Sequence, residues 1–440
     1  MRLLSLLVLV VSSFAAAQEP WPQFRGPGGS GVAVGRLPST WDAKTNIAWR
    51  TPIPGRGWSS PVVWGDRVFV TAVVNDKTLP SRPGLYISDL VGKLPEGAQV
   101  RKLLCLDFAS GKLLWERTVD DRPAASPIHI KNSYATETPV TDGEHVWAMF
   151  GNHGVYCFDI KGTKLWSHAL PVRKIRFGWG TAASPVLAGD MLLVPLDNEE
   201  KSELLALDIR TGETRWRATR PEEKANWATP LVWKNRVRTE IVTAGSHRVR
   251  SYDLDGNMLW EMKGMSTIAI PTPIASPDGD LAFVTSGYQF DPFRPLYAIR
   301  PGGKGDITLE PTQTSSETVA WVQRQAGTYH PTPLVYDGLL YMLYDKGFLA
   351  CFEARTGKEI YSRQRIDPTG DKFTASPWAA DGKIYCLSEE GDTYVIRAGP
   401  NYELLAKNPL GEMSLASPAA SRGSILIRTA AHLYRISEKN

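Results

Sequence analysis

Cysteine is scarce. The 440 residues hold four, Cys105, Cys157, Cys351 and Cys386, and no two are adjacent. That excludes a vicinal disulfide and leaves too few thiols for a disulfide-stapled scaffold. Three of the four occupy one repeated position, two residues before an acidic turn. Equivalent positions in separate units lie apart, so all four read as small buried side chains. Blocks of like charge are missing as well. Lys and Arg number 50 against 46 Asp and Glu, and the net charge of +4 is spread along the chain. Nucleic acid would find no basic footprint. The 7 His show no zinc-ligand spacing. Gly26-Pro27-Gly28-Gly29-Ser30-Gly31 is followed by no P-loop Lys and no helical pattern, and reads as a linker. No Ser sits in a G-x-S-x-G elbow. Beyond the first 17 residues no apolar run reaches the ~20 residues that a spanning helix needs.

Turn formers and large rings are plentiful: Gly 38, Pro 32 and Trp 15. They favour an all-β chain. Met1 to Ala17 has a basic start at Arg2, an apolar stretch from Leu3 to Phe14, and small residues Ala15-Ala16-Ala17. It reads as a secretory leader cleaved near Ala17, so the expected location is periplasmic or extracellular. Residues 18–45 follow as an extended Gly- and Pro-rich arm containing Trp21-Pro22-Gln23-Phe24-Arg25-Gly26-Pro27.

From residue 46 onward two signals alternate. The first is a strand ending in an acidic turn, a Gly reversal, and a strand opening on Trp. Its fullest copy is Ala206-Leu207-Asp208-Ile209-Arg210-Thr211-Gly212-Glu213-Thr214-Arg215-Trp216, with weaker copies leading to Trp115, Trp166, Trp260 and Tyr361. The second is Ser-Pro or Thr-Pro before a short apolar strand and a Gly turn. It occurs at Ser60-Pro61, Thr138-Pro139, Ser184-Pro185, Thr229-Pro230, Thr272-Pro273, Thr332-Pro333, Ser376-Pro377 and Ser417-Pro418. Pro suits the first residue of a strand, where a missing N–H does no harm. One unit is therefore four antiparallel strands, and eight start signals predict an eight-bladed β-propeller over residues 46–440. The last unit lacks a fourth strand, while Asn46-Ile47-Ala48-Trp49-Arg50 is a fourth strand without a unit. Joining them closes the ring and removes the open sheet edges. Trp49, Trp115, Trp166, Trp216 and Trp260 are expected to dock on the Gly turn of the next blade, with Tyr361 and Leu405 as weaker substitutes. Asn75 to Gln99 and Gly302 to Thr318 read as insertions in blades one and five.

The string from Ala206 to Trp216 resembles the tryptophan-docking motif A-x-D-x-x-T-G-x-x-x-W of the quinoprotein (PQQ-repeat) propellers, and the likeness spans nearly the whole chain. That resemblance implies two kinds of job. Some members are quinone-dependent alcohol dehydrogenases, with an adjacent-Cys disulfide, a Ca²⁺ held by carboxylate and amide oxygens, and an Asp base. Others are non-catalytic, such as the outer-membrane assembly lipoprotein. This chain lacks the adjacent Cys pair and the anchor Cys. Glu137, Asn226 and Asp371 carry oxygens of the type Ca²⁺ accepts.

Function in a propeller collects where loops ring the channel. The connections before each Ser/Thr-Pro carry Arg56 and Trp58, Tyr134 and Glu137, Phe177, Trp179 and Thr181, Asn226 and Trp227, Tyr329 and His330, and Lys372 and Phe373. Such rings either plug the space between blades or form a stacking site for a flat or sugar ligand. Trp58, Glu137, Trp179, Trp227 and His330 are the expected contact residues. No catalytic set or metal site is assembled, and the acidic run Asp197-Asn198-Glu199-Glu200 reads as a solvated loop. The expectation is an exported monomeric propeller that binds a protein partner, a small molecule or a carbohydrate. A PQQ-dependent dehydrogenase with Ca²⁺ and an outer-membrane assembly scaffold are the alternatives.

Overall fold

A computed structural model describes residues 19–75, 83–84, 91, 93–368 and 372–438. The proposed leader and Asp371 lie outside the described residues, as does much of the segment 75–99. All the regular structure is β, apart from two short 3-10 turns at Pro27–Gly29 and Arg176–Gly178. No described helix is long and apolar enough to cross a membrane.

Eight antiparallel sheets form an eight-bladed propeller, each blade running from an inner strand A to an outer strand D. Blade one is Val62–Trp64, Arg67–Val74, Val100–Asp107 and Leu113–Asp120. Blade eight takes Ala419–Ser421, Ser424–Arg428 and His432–Ser437 from the C-terminal end and Ile47–Pro52 from the start. Arg50 faces Tyr434 and Thr51 faces Leu433 across that closing pair. The connections from D to A and from B to C lie on one face, here called upper. The A-to-B and C-to-D turns lie on the lower face. Alternating strand direction alone requires this.

Local chemistry explains the repeats. Asp337-Gly338, Asp381-Gly382 and Arg422-Gly423 have positive φ at both residues, the type I′ geometry that matches strand twist. In the lower C-to-D turns an Asp carboxylate caps its own turn. Asp208 Oδ1 accepts the Arg210 and Thr211 N–H, and Asp159 Oδ1 those of Lys161 and Thr163. These are Asx turns.

The Trp rings lie on the Gly of the next blade's turn. A methyl on Gly212 would come within 2.5 Å of the Trp166 ring, and one on Gly111 within 2.5 Å of Trp49. The indole N–H donates to a carbonyl there: Trp49 to Phe108, Trp115 to Ile160, Trp166 to Ile209 and Trp216 to Leu254, at 2.8–3.1 Å. Trp321 does the same with Ala354 and Gly357, a contact that sequence reading missed because the blade-five insertion replaces the short acidic Gly turn that precedes the other Trp residues. Trp260 differs. Its N–H goes to Glu240, its face meets Gly303, and Gly305–Asp306 of the insertion pairs beside it as a parallel fifth strand. Nothing lies within 4 Å of the Cβ position at Gly399, the blade-seven counterpart that would face Tyr361.

The Ser/Thr-Pro markers form a belt. The backbone N–H of Ser60 donates to Thr138 Oγ1, Thr138 to Ser184, Ser184 to Thr229, Thr229 to Thr272, Thr272 to Thr332, Thr332 to Ser376, and Ser376 to Ser417, all at 2.9–3.3 Å. Seven hydrogen bonds thus tie eight blades around the axis. The same marker that ends a connection supplies the neighbour's acceptor.

The arm crosses the lower face. Trp21 exchanges backbone hydrogen bonds with Val63, and Pro22 O accepts the Thr141 N–H. Arg25 is buried and donates to the carbonyls of Pro333 and Pro377 in blades six and seven. Val32 then bridges Ala379 on the way to blade eight. Between these anchors Phe24 closes the channel from below. It borders both an upper cavity of about 240 Å³ and a lower one of about 670 Å³ beneath the arm.

All four Cys are buried and free, and burial pushes the Cys105, Cys157 and Cys351 thiols up to about 12. The acidic run is not a solvated loop. Asn198 is buried and caps the loop through its side chain, Asp197 meets Arg220 at 2.7 Å, and Glu199 meets Arg176 at 3.1 Å. Basic residues distant in sequence draw it inward.

Candidate functional site

The upper cavity lies on the axis, above Phe24 and enclosed by the belt of hydroxyls. Its wall is aromatic: Trp58, Trp179, Trp227, Tyr288, Tyr329 and His330. Four of the five expected contact residues therefore come together. Trp179 and Trp227 have centroids 5.6 Å apart, tilted by 38°. Tyr329 lies 5.5 Å from Tyr288 and 4.0 Å from His330.

The rings are packed between connections and also line the cavity. Trp58 N–H donates to Lys131 O in the next connection, and Trp227 N–H to Gly180 O in the preceding one, so each polar edge is tied to a neighbouring connection. Both rings are only 8% exposed, and what remains open faces the cavity. Positions fixed this way are already ordered when a ligand arrives, which lowers the cost of binding.

Glu137 is the exception. It is buried off the axis, where its Oε1 accepts the Thr181 hydroxyl at 2.6 Å. Burial raises its pKa. The run Tyr134 to Thr138 turns so that Thr138 reaches the belt, which sends its neighbour away. Asn226 likewise leaves the axis and donates to Asp197 at 2.7 Å. Phe177 is 54% exposed outside Trp179, and Phe373 is buried against Tyr394.

Sequence reading missed several wall residues. His129, Lys131 and Asn132 come from the long connection before blade two, and Tyr288 and Phe290 from the B-to-C loop of blade five. Only the length of those loops signals that they reach inward. Lys131 spans the mouth to Glu389 of blade seven, Nζ to Oε1 at 2.6 Å, and Thr374 donates to the same oxygen at 2.7 Å. Glu389 is fully buried, so this pair fixes two loops across the opening. Burial and the nearby Lys131 and His129 charges hold His330 well below the usual imidazole range, and it is neutral at neutral pH.

Comparisons with known proteins place this geometry. The family model described as outer membrane protein assembly factor BamB matches residues 97–170 and 151–289. A curated polyvinylalcohol dehydrogenase from Sphingopyxis sp. (strain 113P3) is 24% identical over 232 residues, covering 48% of this chain. Residues 97–289, a little under half of the chain, are thus similar to the PQQ-like repeat propellers. The match spans about a third of that dehydrogenase, 32% of its length. Solved structures repeat the propeller fold. BamB from Moraxella catarrhalis has a TM-score of 0.56 at 14% identity, covering 84% of this chain and 98% of that one. Quinohemoprotein alcohol dehydrogenase from Comamonas testosteroni has a TM-score of 0.59 at 11% identity, covering 96% and 81%. The computationally designed Ika8 protein reaches 0.53 at 11%, covering 80% and 97%, so the architecture by itself specifies no activity.

Among the described residues the donor set does not fit a quinone held on Ca²⁺. Ca²⁺ takes six to eight oxygens, among them carboxylates. No Asp or Glu is among the described residues that line this cavity. Nor do three or more His, Cys, Asp or Glu cluster anywhere among them as a metal site. Glu137 and Asn226 border separate clefts off the axis. What the wall offers is stacking surface, hydroxyl groups and neutral imidazole.

Proposed function

We propose that this propeller is an exported binding protein that holds a small ring-bearing ligand in the upper mouth of its channel. The observation that carries the reading is the convergence of Trp179, Trp227, Tyr288 and Tyr329 on one cavity closed from below by Phe24. A volume of about 240 Å³ is just under the ~300–1,000 Å³ of common ligand clefts, which favours a compact ligand. Export rests on the leader at residues 1–17, with the folded chain beginning near residue 18. Benzyl alcohol, a flat neutral probe, tests the mouth. Saturable quenching of Trp fluorescence is expected in the wild type. It is lost in Trp179→Ala and Trp227→Ala while each variant still folds. Unchanged quenching in both variants overturns the reading.

The dehydrogenase reading is favoured by the polyvinylalcohol dehydrogenase relative and opposed by the cavity's donors. Dye-linked oxidation of an alcohol after loading with PQQ and Ca²⁺ would establish it. The assembly-scaffold reading is favoured by the matching family model. Recovery of outer-membrane assembly components in a pull-down, lost on changing upper-face residues such as Phe290, would support it.

A further inference from the structure

The eight Ser and Thr of the Ser/Thr-Pro markers all line the upper cavity and are all buried. Seven of their oxygens accept a backbone N–H from the preceding blade, as in Thr229 to Thr272 and Thr272 to Thr332. Each hydroxyl can also donate one hydrogen. Among the described residues none of the eight finds an acceptor for it. Buried donors of this kind normally have a partner. Accepting an N–H also polarises the O–H and makes it a stronger donor.

A ring of converging O–H dipoles makes the potential at its centre positive, as other converging donors do at anion sites. No described carboxylate side chain lines the cavity to oppose it. A cation would need lone pairs, and one on each of seven oxygens is already taken. We propose that the belt is a carboxylate-binding neck: the ligand's acidic end enters the ring of hydroxyls while its body stacks on the aromatic wall. This deepens the binding reading above and rests on it, and narrows the ligand class to small ring-bearing acids.

The test compares benzoate with benzyl alcohol, two probes with the same ring, by calorimetry at neutral pH. Wild type is expected to bind benzoate about tenfold more tightly, the effect of one added charge-assisted hydrogen bond. Ser60 is the belt member whose oxygen accepts no N–H among the described residues, so Ser60→Ala removes a donor without cutting the belt. It is expected to lower benzoate affinity about threefold or more and to leave benzyl alcohol unchanged. Thr272→Val should erase most of the preference, and Thr272→Ser should restore it, which separates a lost donor from a damaged fold. Equal binding of the two probes overturns the carboxylate neck and leaves the mouth reading standing. A preference untouched in folded Ser60→Ala and Thr272→Val also overturns it. No binding of either probe removes both.

Discussion

Replacing Gly111 by Ala tests how blades are joined. Gly111 has φ +71° and carries the Trp49 ring, whose indole N–H reaches Phe108 O at 2.9 Å. The left-handed backbone costs an L-residue about 1–2 kcal/mol. The new methyl would lie 2.5 Å from the ring, and overpacking of that sort costs about 1–3 kcal/mol more. The single change should therefore destabilise by about 2–5 kcal/mol. Trp49→Ala should cost about 3–5 kcal/mol, since the ring is 8% exposed. With Trp49 gone the Thr51 hydroxyl, 2.7 Å from the methyl, still crowds it, so Gly111→Ala should then cost its backbone share and that smaller contact. The double-mutant cycle should show a coupling of about 1–3 kcal/mol. With ~2.1 cal/mol/K of unfolding entropy per residue over 440 residues, 1 kcal/mol corresponds to about 1 °C in Tm. Urea denaturation is thus the sharper assay. Gly189→Ala is the control, with a positive φ and nothing within 4 Å of the methyl. Additive effects in the cycle would refute docking as the join between blades eight and one.

Removing Ile47–Pro52 should expose the His432–Ser437 edge and send the protein into aggregates, checked by light scattering of the purified variant. Lys131→Met takes the ammonium from the buried Glu389 carboxylate, which keeps the Thr374 hydroxyl and the Gly84 N–H, and should cost up to about 3 kcal/mol in urea denaturation. Acid should weaken the join between blades one and two. There Arg101 donates to His153 Nε2 at 2.6 Å, leaving Nδ1–H to face Asp120 at 3.2 Å. Burial and Arg101 bring the His153 pKa down to about 4. Between its ordinary value near 6.5 and about 4 the unfolded chain binds the extra proton, so stability should fall as pH drops through that window. The Asp120 carboxylate, held below the usual range despite burial by its hydrogen bonds to Arg122 and the Arg101 charge, adds a loss at lower pH. Melting curves of wild type and His153→Gln check this, and the variant should show a shallower fall from pH 6.5 to 4.

The blade count and the closing strand were legible because they rest on local chemistry. Pro after Ser or Thr starts a strand, Asp caps its own turn, and Gly admits a ring. Each needs only a few consecutive residues. Trp58, Trp179, Trp227 and His330 were legible by position, since a connection before a Ser/Thr-Pro marker must approach the axis. Glu137 shows the limit of that argument: one residue before the belt, the backbone's direction turns the side chain off the axis. Lys131, Tyr288 and Phe290 reach the mouth from long loops whose paths are set by tertiary partners. For Lys131 that partner is Glu389, 258 residues away. The acidic run at 197–200 misled for the same reason, because Arg176 and Arg220 lie outside any local window.

A crystal structure of the protein grown with benzoate tests the central claim most directly. The account predicts the ring between Trp179, Trp227 and Tyr329, with its carboxylate within hydrogen-bond distance of the belt hydroxyls. Benzoate found elsewhere on the propeller, with the mouth holding none, would contradict it.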